Sequence, residues 1–247
     1  MLAAIDGDIV AYRVGFSCQK QGVLVEPVEV AYARVDELMG RILHETSADE
    51  YVAYLSGGTN YRLQYNPEYK ANRDPSAKPI LLPEIRQYLL DVWKAEVTDG
   101  IEADDALGIL QCQGGDTVIC SIDKDLHQIP GNHYNFVRQE WTTVSEWDGL
   151  KFFYKQMLIG DTIDNIFGVF GIGPKKASQI IDPCISEREM YEQVQFLYDT
   201  EERLVMNAHC LYIQKKPNDR WEVPPGEEET TDESGAGEES RTLQESA

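Results

Sequence analysis

The sequence has no long apolar run and little cysteine. No segment approaches the roughly 18 consecutive apolar residues of a membrane-spanning helix. The segment Met1–Asp6 has neither the basic part nor the long apolar part of a secretory signal. The 5 cysteines are odd in number and include no Cys-x-x-Cys pair, which fits reduced thiols better than a disulfide scaffold or a zinc site. We therefore expect reduced thiols, a cytoplasmic location and no contact with a membrane.

Basic residues are also scarce. Lys and Arg number 22 against 43 Asp and Glu, for a net charge of −21. A protein that finds nucleic acid by charge alone is basic, so this balance by itself argues against such a partner. The tail from Gly226 to Ala247 has eight acids and one arginine and is predicted to be a disordered segment, residues 226–247. The remaining acids are either scattered over the surface or gathered in a site.

Apolar patterning predicts a core of alternating strands and helices. Hydrophobic residues make up 42% of the chain and aromatic residues 10%, enough for a sizeable core. Strands are predicted at Met1–Asp6, Tyr51–Leu55, Thr117–Ile122 and Tyr134–Val137. Helices are predicted at Ile9–Phe16, Pro27–Thr46, Pro83–Val97 and Asp104–Gln111, and after Trp147 with a break at Gly168–Pro174. This order predicts an α/β fold with a central, mainly parallel, twisted sheet flanked by helices.

Acidic residues recur where these predicted elements meet. The four clusters are Asp6-Gly7-Asp8, Glu102-Ala103-Asp104-Asp105, Asp123-Lys124-Asp125 and Asp161-Thr162-Ile163-Asp164. The first and third follow strands, and the carboxyl ends of parallel strands meet at one edge of a sheet. Carboxylates from several segments are what a pair of Mg²⁺ ions requires, with Mn²⁺ as the alternative.

Each acidic cluster also has a structural interpretation. Asp8, Asp104 or Asp105 could cap the helix that follows, and the other two clusters could be ordinary surface turns. Four such clusters at one sheet edge would repel one another strongly without a cation, which favours a metal site. A calcium-binding protein is disfavoured, because no Asp-x-Asp-x-Asp-Gly loop with a glutamate at its twelfth position is present.

Two further segments suit contact with phosphate. Tyr69-Lys70-Ala71-Asn72-Arg73 places two cations beside an aromatic ring, and Tyr69 could stack on a base. Gly168–Ala177 has three glycines before Pro174, Lys175 and Lys176, and amides at a helix start bind phosphate without reading bases. A solvated loop and a plain turn between helices are the structural alternatives.

Taken in order, the motifs resemble those of the flap endonuclease superfamily, above all its short phage-encoded 5′–3′ exonucleases. They are DGD, NPEYKANR, IEADD, SIDKD, IGDTIDN and GVFGIGPKKA, from Asp6 to Lys176. The resemblance implies a PIN-like nuclease core over residues 1–150 and a small helical DNA-binding region with a helix–turn–helix over residues 151–225. It also implies metal-dependent hydrolysis of DNA from the 5′ end in phage replication or recombination, within the host cytoplasm.

The resemblance implies roles for individual residues. Lys70 and Arg73 would contact the scissile phosphate, and Tyr69, Gly171, Gly173, Lys175 and Lys176 would bind DNA. A potassium ion is expected at the helix–turn–helix loop, duplex or 5′-flapped DNA as substrate, RNA–DNA hybrid as a further one, and a monomer as the active form. The metal ligands implied are Asp6, Glu102, Asp104, Asp105, Asp123, Asp125, Asp161 and Asp164.

The sequence departs from this family at two places. Relatives have an aspartate after the second strand, whereas this chain has Leu55-Ser56-Gly57-Gly58. The segment between Arg73 and Pro83 is also short, which predicts a reduced or disordered arch and weakens the case for threading a single-stranded flap. Two alternatives remain: a catalytically silent DNA-binding module of the same fold, and a PIN-like ribonuclease.

Overall fold

The computed structural model describes residues 1–226. Apart from Gly226, the tail that is predicted to be disordered lies outside the described residues. Within residues 1–226, no helix is long and apolar enough to cross a membrane.

The described residues form strands and helices in an alternating order. The strands are β1 Leu2–Asp6, β2 Gln19–Lys20, β3 Val23–Leu24, β4 Glu50–Leu55, β5 Glu96–Val97, β6 Thr117–Cys120, β7 Gly131–Asn135, β8 Glu140–Val144, β9 Gly160–Asp161 and β10 Ile166–Phe167. The helices are α1 Gly7–Ser17, α2 Val28–Thr46, α3 Leu82–Asp91, α4 Ala103–Cys112, α5 Glu146–Ile159, α6 Pro174–Ile181, α7 Glu187–Leu197 and α8 Glu201–Leu211.

Six strands form the main sheet, in the order β5-β4-β1-β6-β7-β8. Every neighbouring pair is parallel except β7 and β8. The central strand β1 pairs with β4 on one side and with β6 on the other. The strands that follow β1 are therefore added first on one side of it, as β4 and β5, and then on the other, as β6 and β7. Ligands of such sheets bind beyond the carboxyl ends of the strands at this point. The α/β fold with a mainly parallel sheet is confirmed.

Apolar residues cover both faces of the sheet. Ala3 and Ile5 of β1 pack on one face beneath α1, α2 and α3, and Ala4 packs on the other face with Leu107 of α4. This alternation is the period of two that a strand buried on both faces requires. It fixes β1 so that its last residue, Asp6, emerges at the sheet edge.

The C-terminal helices α5 to α8 form an apolar cluster of their own. It includes Phe153 and Tyr154 of α5, so the domain boundary predicted at residue 150 falls inside that helix. The division at residues 150 and 225 stays a prediction. The helical region that was expected after the nuclease core is present.

Several predicted elements were wrong in extent. The helix predicted over Pro83–Val97 ends at Asp91, because Lys94 adopts a left-handed backbone conformation with φ 52° and the chain then enters β5. The strand predicted at Tyr134–Val137 is Gly131–Asn135. The antiparallel edge strand β8 was missed, because four of its five residues are exposed and the segment lacks an apolar pattern.

The connection from Arg73 to α3 is short and ordered. It has a single 3₁₀ turn, Pro75–Ala77, and the amide of Ile80 donates to Oε1 of Gln19 at 2.9 Å. The segment is thus a short connection, as the sequence predicts, and its role as a reduced arch over the substrate stays a prediction.

Candidate active site

Three aspartates at the ends of β1 and β6 are joined by hydrogen bonds. Asp6, only 2% exposed, caps α1 by accepting from the amide of Ile9 at 3.0 Å, and it also accepts from the Ser121 hydroxyl at 2.7 Å. That hydroxyl accepts in turn from the amide of Asp123 at 3.0 Å, and Asp123 accepts from the amide of Asp125 at 2.9 Å. The sheet edge therefore brings these acids together as predicted.

A close backbone approach positions the start of α1 at this edge. A Cβ atom on Gly7 would lie 2.6 Å from the carbonyl oxygen of Tyr54, closer than real Cβ atoms come to other atoms. Only glycine lets α1 begin directly beneath the end of β4. Gly7 thus allows the chain to pass directly from Asp6, at the end of β1, into α1.

Burial and the closeness of these acids to one another raise the pKa of several of them. Burial, together with the charges of Asp8 and Asp123, raises the pKa of Asp6 to about 7 despite its two hydrogen bonds. Burial and the neighbouring carboxylates likewise raise the pKa of Asp125 to about 7. The pKa of Asp104 is raised well above its usual value by desolvation, with Asp6 and Asp123 adding to it. A bound cation would relieve this repulsion.

The pKa of Glu102 is lowered, in contrast to those of Asp6, Asp104 and Asp125. Burial alone would raise the pKa of Glu102, but the charges of Arg62 and Lys70 outweigh it. Its carboxylate accepts from the Lys70 ammonium, and the Arg62 guanidinium lies 3.7 Å away. Glu102 therefore stays ionised and available to a cation that displaces Lys70.

The basic segment 66–73 is docked onto the last acidic cluster. The amide of Lys70 donates to the carbonyl of Asp164 at 3.0 Å, and the Asn72 side chain donates to the carbonyl of Thr162 at 2.8 Å. The Arg73 guanidinium pairs with the Asp164 carboxylate, and the Lys70 ammonium lies 3.5 Å from it. Lys70 and Arg73 thus lie directly against the predicted metal ligands Glu102 and Asp164. Asp161 belongs to the same hairpin and accepts from the amide of Ile163 at 2.9 Å.

The donors suit divalent cations, although their present arrangement does not form a closed ligand set. Within residues 1–226, no three carboxylate, imidazole or thiol groups are placed to hold one ion. The reason is visible: Lys70 and Arg73 engage Glu102 and Asp164, and Asp6 is used as a helix cap. Oδ1 of Asp125 is nevertheless buried without any hydrogen-bond partner, as suits an oxygen that coordinates a cation. An all-oxygen set of this kind is typical of Mg²⁺ or Mn²⁺.

Asp105 contradicts its predicted role as a ligand. Its carboxylate is fully buried and forms a bidentate ion pair with Arg62, at 2.7 and 2.9 Å. The same oxygens accept from the amides of Glu102 and Gln214. With its lone pairs used in this way, Asp105 positions the start of α4 and leaves Glu102 and Asp104 to face the site.

Tyr69 contradicts the prediction that it stacks on a base. Its ring is only 6% exposed and packs in the C-terminal apolar cluster. Its hydroxyl lies 3.0 Å from a carboxylate oxygen of Glu102 and 3.0 Å from one of Asp164. The hydroxyl lies between the two acids and can donate its single proton to either of them. The buried ring has no face free for a nucleobase.

Two arginines of the site were not predicted, and the role considered for Asp8 was wrong. Asp6, and not Asp8, caps α1; Asp8 pairs with Arg86 and accepts from the amide of Ser56 at 2.9 Å. Arg86 also donates to the carbonyl of Ser56 at 2.7 Å, which fixes the segment where relatives have an aspartate. Arg62 is 2% exposed. The only feature of the sequence that could have indicated a buried Arg62 is its position in a segment otherwise rich in Tyr and Leu.

The glycine-rich segment precedes α6 as predicted. Gly173 and Pro174 begin the helix, and Lys175 and Lys176 are exposed in its first turn. The Lys176 ammonium donates to the carbonyl of Gly171 at 2.9 Å. Phosphate binding here, and the potassium ion, stay predictions.

Known proteins resemble both the sequence and the fold. The family model described as 5′–3′ exonuclease, N-terminal resolvase-like domain, matches residues 1–155, more than half of the chain. Flap endonuclease Xni of Shewanella sp. (strain ANA-3) is 29% identical over 175 residues, which cover 64% of each protein. DNA polymerase I of Caldicellulosiruptor bescii is 27% identical over 241 residues, 87% of this chain, and the chain spans 28% of that polymerase.

Solved structures agree in fold. The T5 D15 protein co-crystallized with metal ions gives a TM-score of 0.63 at 22% identity, over 83% of this chain and 87% of that one. T5 5′-exonuclease with divalent zinc ions bound gives 0.61 at 21% identity, over 85% and 86%. The order of the predicted motifs, the sheet with its acidic edge and the family match agree: the chain belongs to the 5′–3′ exonuclease family that has the N-terminal resolvase-like domain.

Proposed function

We propose that this protein is a metal-dependent nuclease that hydrolyses DNA phosphodiesters from a 5′ end. The observation that supports this most is one juxtaposition. Acids from four separate segments converge at the sheet edge, and the Lys70 ammonium and the Arg73 guanidinium are placed directly against two of them, Glu102 and Asp164. Metal-assisted phosphoryl chemistry needs both kinds of group at one point.

The residues suited to hold the ions are seven of the eight predicted acids, without Asp105. They are Asp6, Glu102, Asp104, Asp123, Asp125, Asp161 and Asp164. Two Mg²⁺ ions bound there would supply a water of lowered pKa and would stabilise charge on the leaving oxygen. Mn²⁺ has the same ligand preference and is the alternative.

Lys70 and Arg73 have two roles in succession. While the carboxylates lack a cation, these bases neutralise Glu102 and Asp164. When the carboxylates bind metal, the ammonium and guanidinium become free to contact the substrate phosphate. They then offset the charge that develops on the phosphate oxygens in the transition state.

The short connection over residues 74–81 favours 5′ ends over threaded single strands. Its single 3₁₀ turn and its bond to Gln19 leave little chain to arch over a strand. Stepwise release from a 5′ end is therefore the proposed main activity. Flap cutting and removal of RNA from hybrids in phage replication are the secondary ones.

A cleavage assay with end-labelled DNA tests the proposal. A 5′-labelled duplex, a 3′-labelled duplex and a 5′-flap substrate are each incubated with Mg²⁺ or EDTA. Asp123→Asn is compared with Asp91→Asn, which removes an exposed acid at the last residue of α3 that belongs to none of the four acidic clusters. We expect early release of labelled mononucleotide from the 5′ end, abolished by EDTA and by Asp123→Asn but not by Asp91→Asn.

The other outcomes separate the alternatives. Cutting only at the flap junction would mean that the short connection still admits a single strand. Cleavage of a labelled RNA strand of the same sequence, tested beside these substrates, without any cleavage of DNA would favour the PIN-like ribonuclease. Metal-dependent binding without any cleavage would overturn the enzyme proposal in favour of a silent DNA-binding module.

A further inference from the structure

A rigid turn connects β10 to α6. The amide of Ile172 donates to the carbonyl of Val169 at 3.1 Å, and Gly171 between them has a φ of 76°. This bond and this dihedral angle fit a type II β-turn, which needs glycine at its third position. Phe170 occupies the second position, from which a side chain points away from the turn.

The turn is anchored on both sides. The amide of Val169 donates to the carbonyl of Leu158 at 2.8 Å, and Val169 and Ile172 both pack against the C-terminal apolar cluster. The carbonyl of Phe167 accepts from the side chains of Asn207 at 2.8 Å and Arg203 at 3.0 Å. The residues beside Phe170 are therefore held in place.

Phe170 itself is completely exposed. Its relative exposure is 102%, the highest of the large apolar residues among those described. The same turn leads into α6, where Lys175 and Lys176 lie exposed. A rigid turn thus presents one large apolar ring a few residues from two cations at a helix start.

We propose that Phe170 packs into the minor groove of duplex DNA, against a deoxyribose and base edge, with Lys175 and Lys176 facing the neighbouring phosphates. The inference rests on the proposed function and adds a residue that sets substrate specificity. Apolar side chains are used in this way by proteins that bind the minor groove. The fixed turn presents the ring without an entropic cost for ordering the loop.

The charge of the chain explains why such a contact is useful. With a net charge of −21, the protein has few cations to spare for phosphate. Ionic contacts weaken as salt rises because binding releases counterions, whereas an apolar contact does not depend on counterions. Phe170 supplies the part of duplex affinity that salt does not remove.

The contact also distinguishes DNA from RNA. In an RNA duplex the minor groove displays 2′-hydroxyls, which an apolar ring cannot satisfy by hydrogen bonding. Covering them would leave buried polar groups without partners. Phe170 therefore favours a deoxyribose strand at this position.

Equilibrium binding tests the inference. Fluorescence anisotropy gives the Kd for a labelled DNA duplex with Mg²⁺ present, over about 50–200 mM salt. All variants are made in the Asp123→Asn background so that substrate is not consumed. Phe170→Ala is compared with Phe196→Ala, which removes a ring that is 87% exposed on α7, and with Lys175→Ala.

We expect Phe170→Ala to weaken binding about fivefold to tenfold at every salt concentration, without changing the slope of log K against log salt. Lys175→Ala should instead lower that slope by about 1, and Phe196→Ala should match the parent. Phe170→Ala should also narrow the preference for a DNA duplex over an RNA duplex of the same sequence. Thermal melting should show that the exposed substitutions leave the fold intact.

The failures are distinguishable. If the parent binds and Phe170→Ala equals Phe196→Ala, the inference is wrong and the proposed function stands. An equal loss on DNA and RNA duplexes would overturn the discrimination between sugars. If the parent binds no duplex under any condition, both the inference and the proposed function are overturned.

Discussion

Arg62 and Asp105 form a buried bidentate ion pair, with Nη1 to Oδ2 at 2.7 Å and Nη2 to Oδ1 at 2.9 Å. Arg62 also donates to the carbonyls of Cys210 and Tyr212. The pair thus joins the start of α4 to the segment that follows α8. It is the contact that turns one of the predicted metal ligands into a structural residue.

Replacing Asp105 should therefore change stability and leave metal binding intact. Asp105→Asn removes the carboxylate that pairs most closely with a buried arginine, and breaking a buried ion pair typically costs about 3–5 kcal/mol. Urea unfolding should show this loss equally in EDTA and in Mg²⁺, whereas Asp104→Asn should lose stability only relative to the metal-bound parent. If the cost of Asp105→Asn grows with the Mg²⁺ concentration, Asp105 is a ligand after all.

Acidic crowding should make the metal-free protein less stable as the pH rises. A carboxyl whose folded pKa is raised holds its proton longer than in the unfolded chain, so stability is lost between about pH 4 and pH 7. For Asp125, a pKa moved from 3.8 to about 7 corresponds to at most about 4 kcal/mol.

The measurement is the difference between Asp125→Asn and the parent in EDTA. Thermal melting should give no difference near pH 4 and a growing advantage of Asp125→Asn up to pH 8. Taking the difference removes the opposite contribution of His133, whose pKa burial lowers to about 4. Saturating Mg²⁺ should reverse the order, because only the parent gains the full binding energy. If the difference in melting temperature between Asp125→Asn and the parent does not change from pH 4 to pH 8, the neighbouring carboxylates do not destabilise the metal-free protein through Asp125.

These acids show how far the sequence predicts the site. A strand that ends in an acid is visible in the sequence, and parallel pairing of β1 with β6 then forces Asp6 and Asp123 together. The partner of Asp105 is not visible, because Arg62 is 43 residues away and meets it only through packing. The direction of Tyr69 was misjudged for a similar reason: its basic neighbours suggested exposure, whereas its ring packs in an apolar cluster formed by the much later helices α5 to α8.

Lys70 should compete with metal ions for Glu102 and Asp164. Lys70→Met removes the competing ammonium, so isothermal titration should show Mg²⁺ binding a few-fold more tightly than in the parent. Cleavage should nevertheless fall about a hundredfold, because the positive charge that offsets the phosphate in the transition state is lost. Lys175→Met is the matched control, with metal affinity unchanged. Weaker Mg²⁺ binding in Lys70→Met would contradict the competition.

Tyr69 provides the sharpest separation between a structural role and a role in base stacking. Tyr69→Phe keeps the buried ring and removes the hydroxyl that bridges Glu102 and Asp164, so it should melt close to the parent and change metal affinity. Tyr69→Ala opens a cavity in the C-terminal apolar cluster and should cost about 3–5 kcal/mol of stability in urea unfolding. Stacking on a base predicts a different pattern, in which Tyr69→Ala melts like the parent but loses affinity for single-stranded ends while Tyr69→Phe retains it. Since the ring is only 6% exposed, we expect the first pattern.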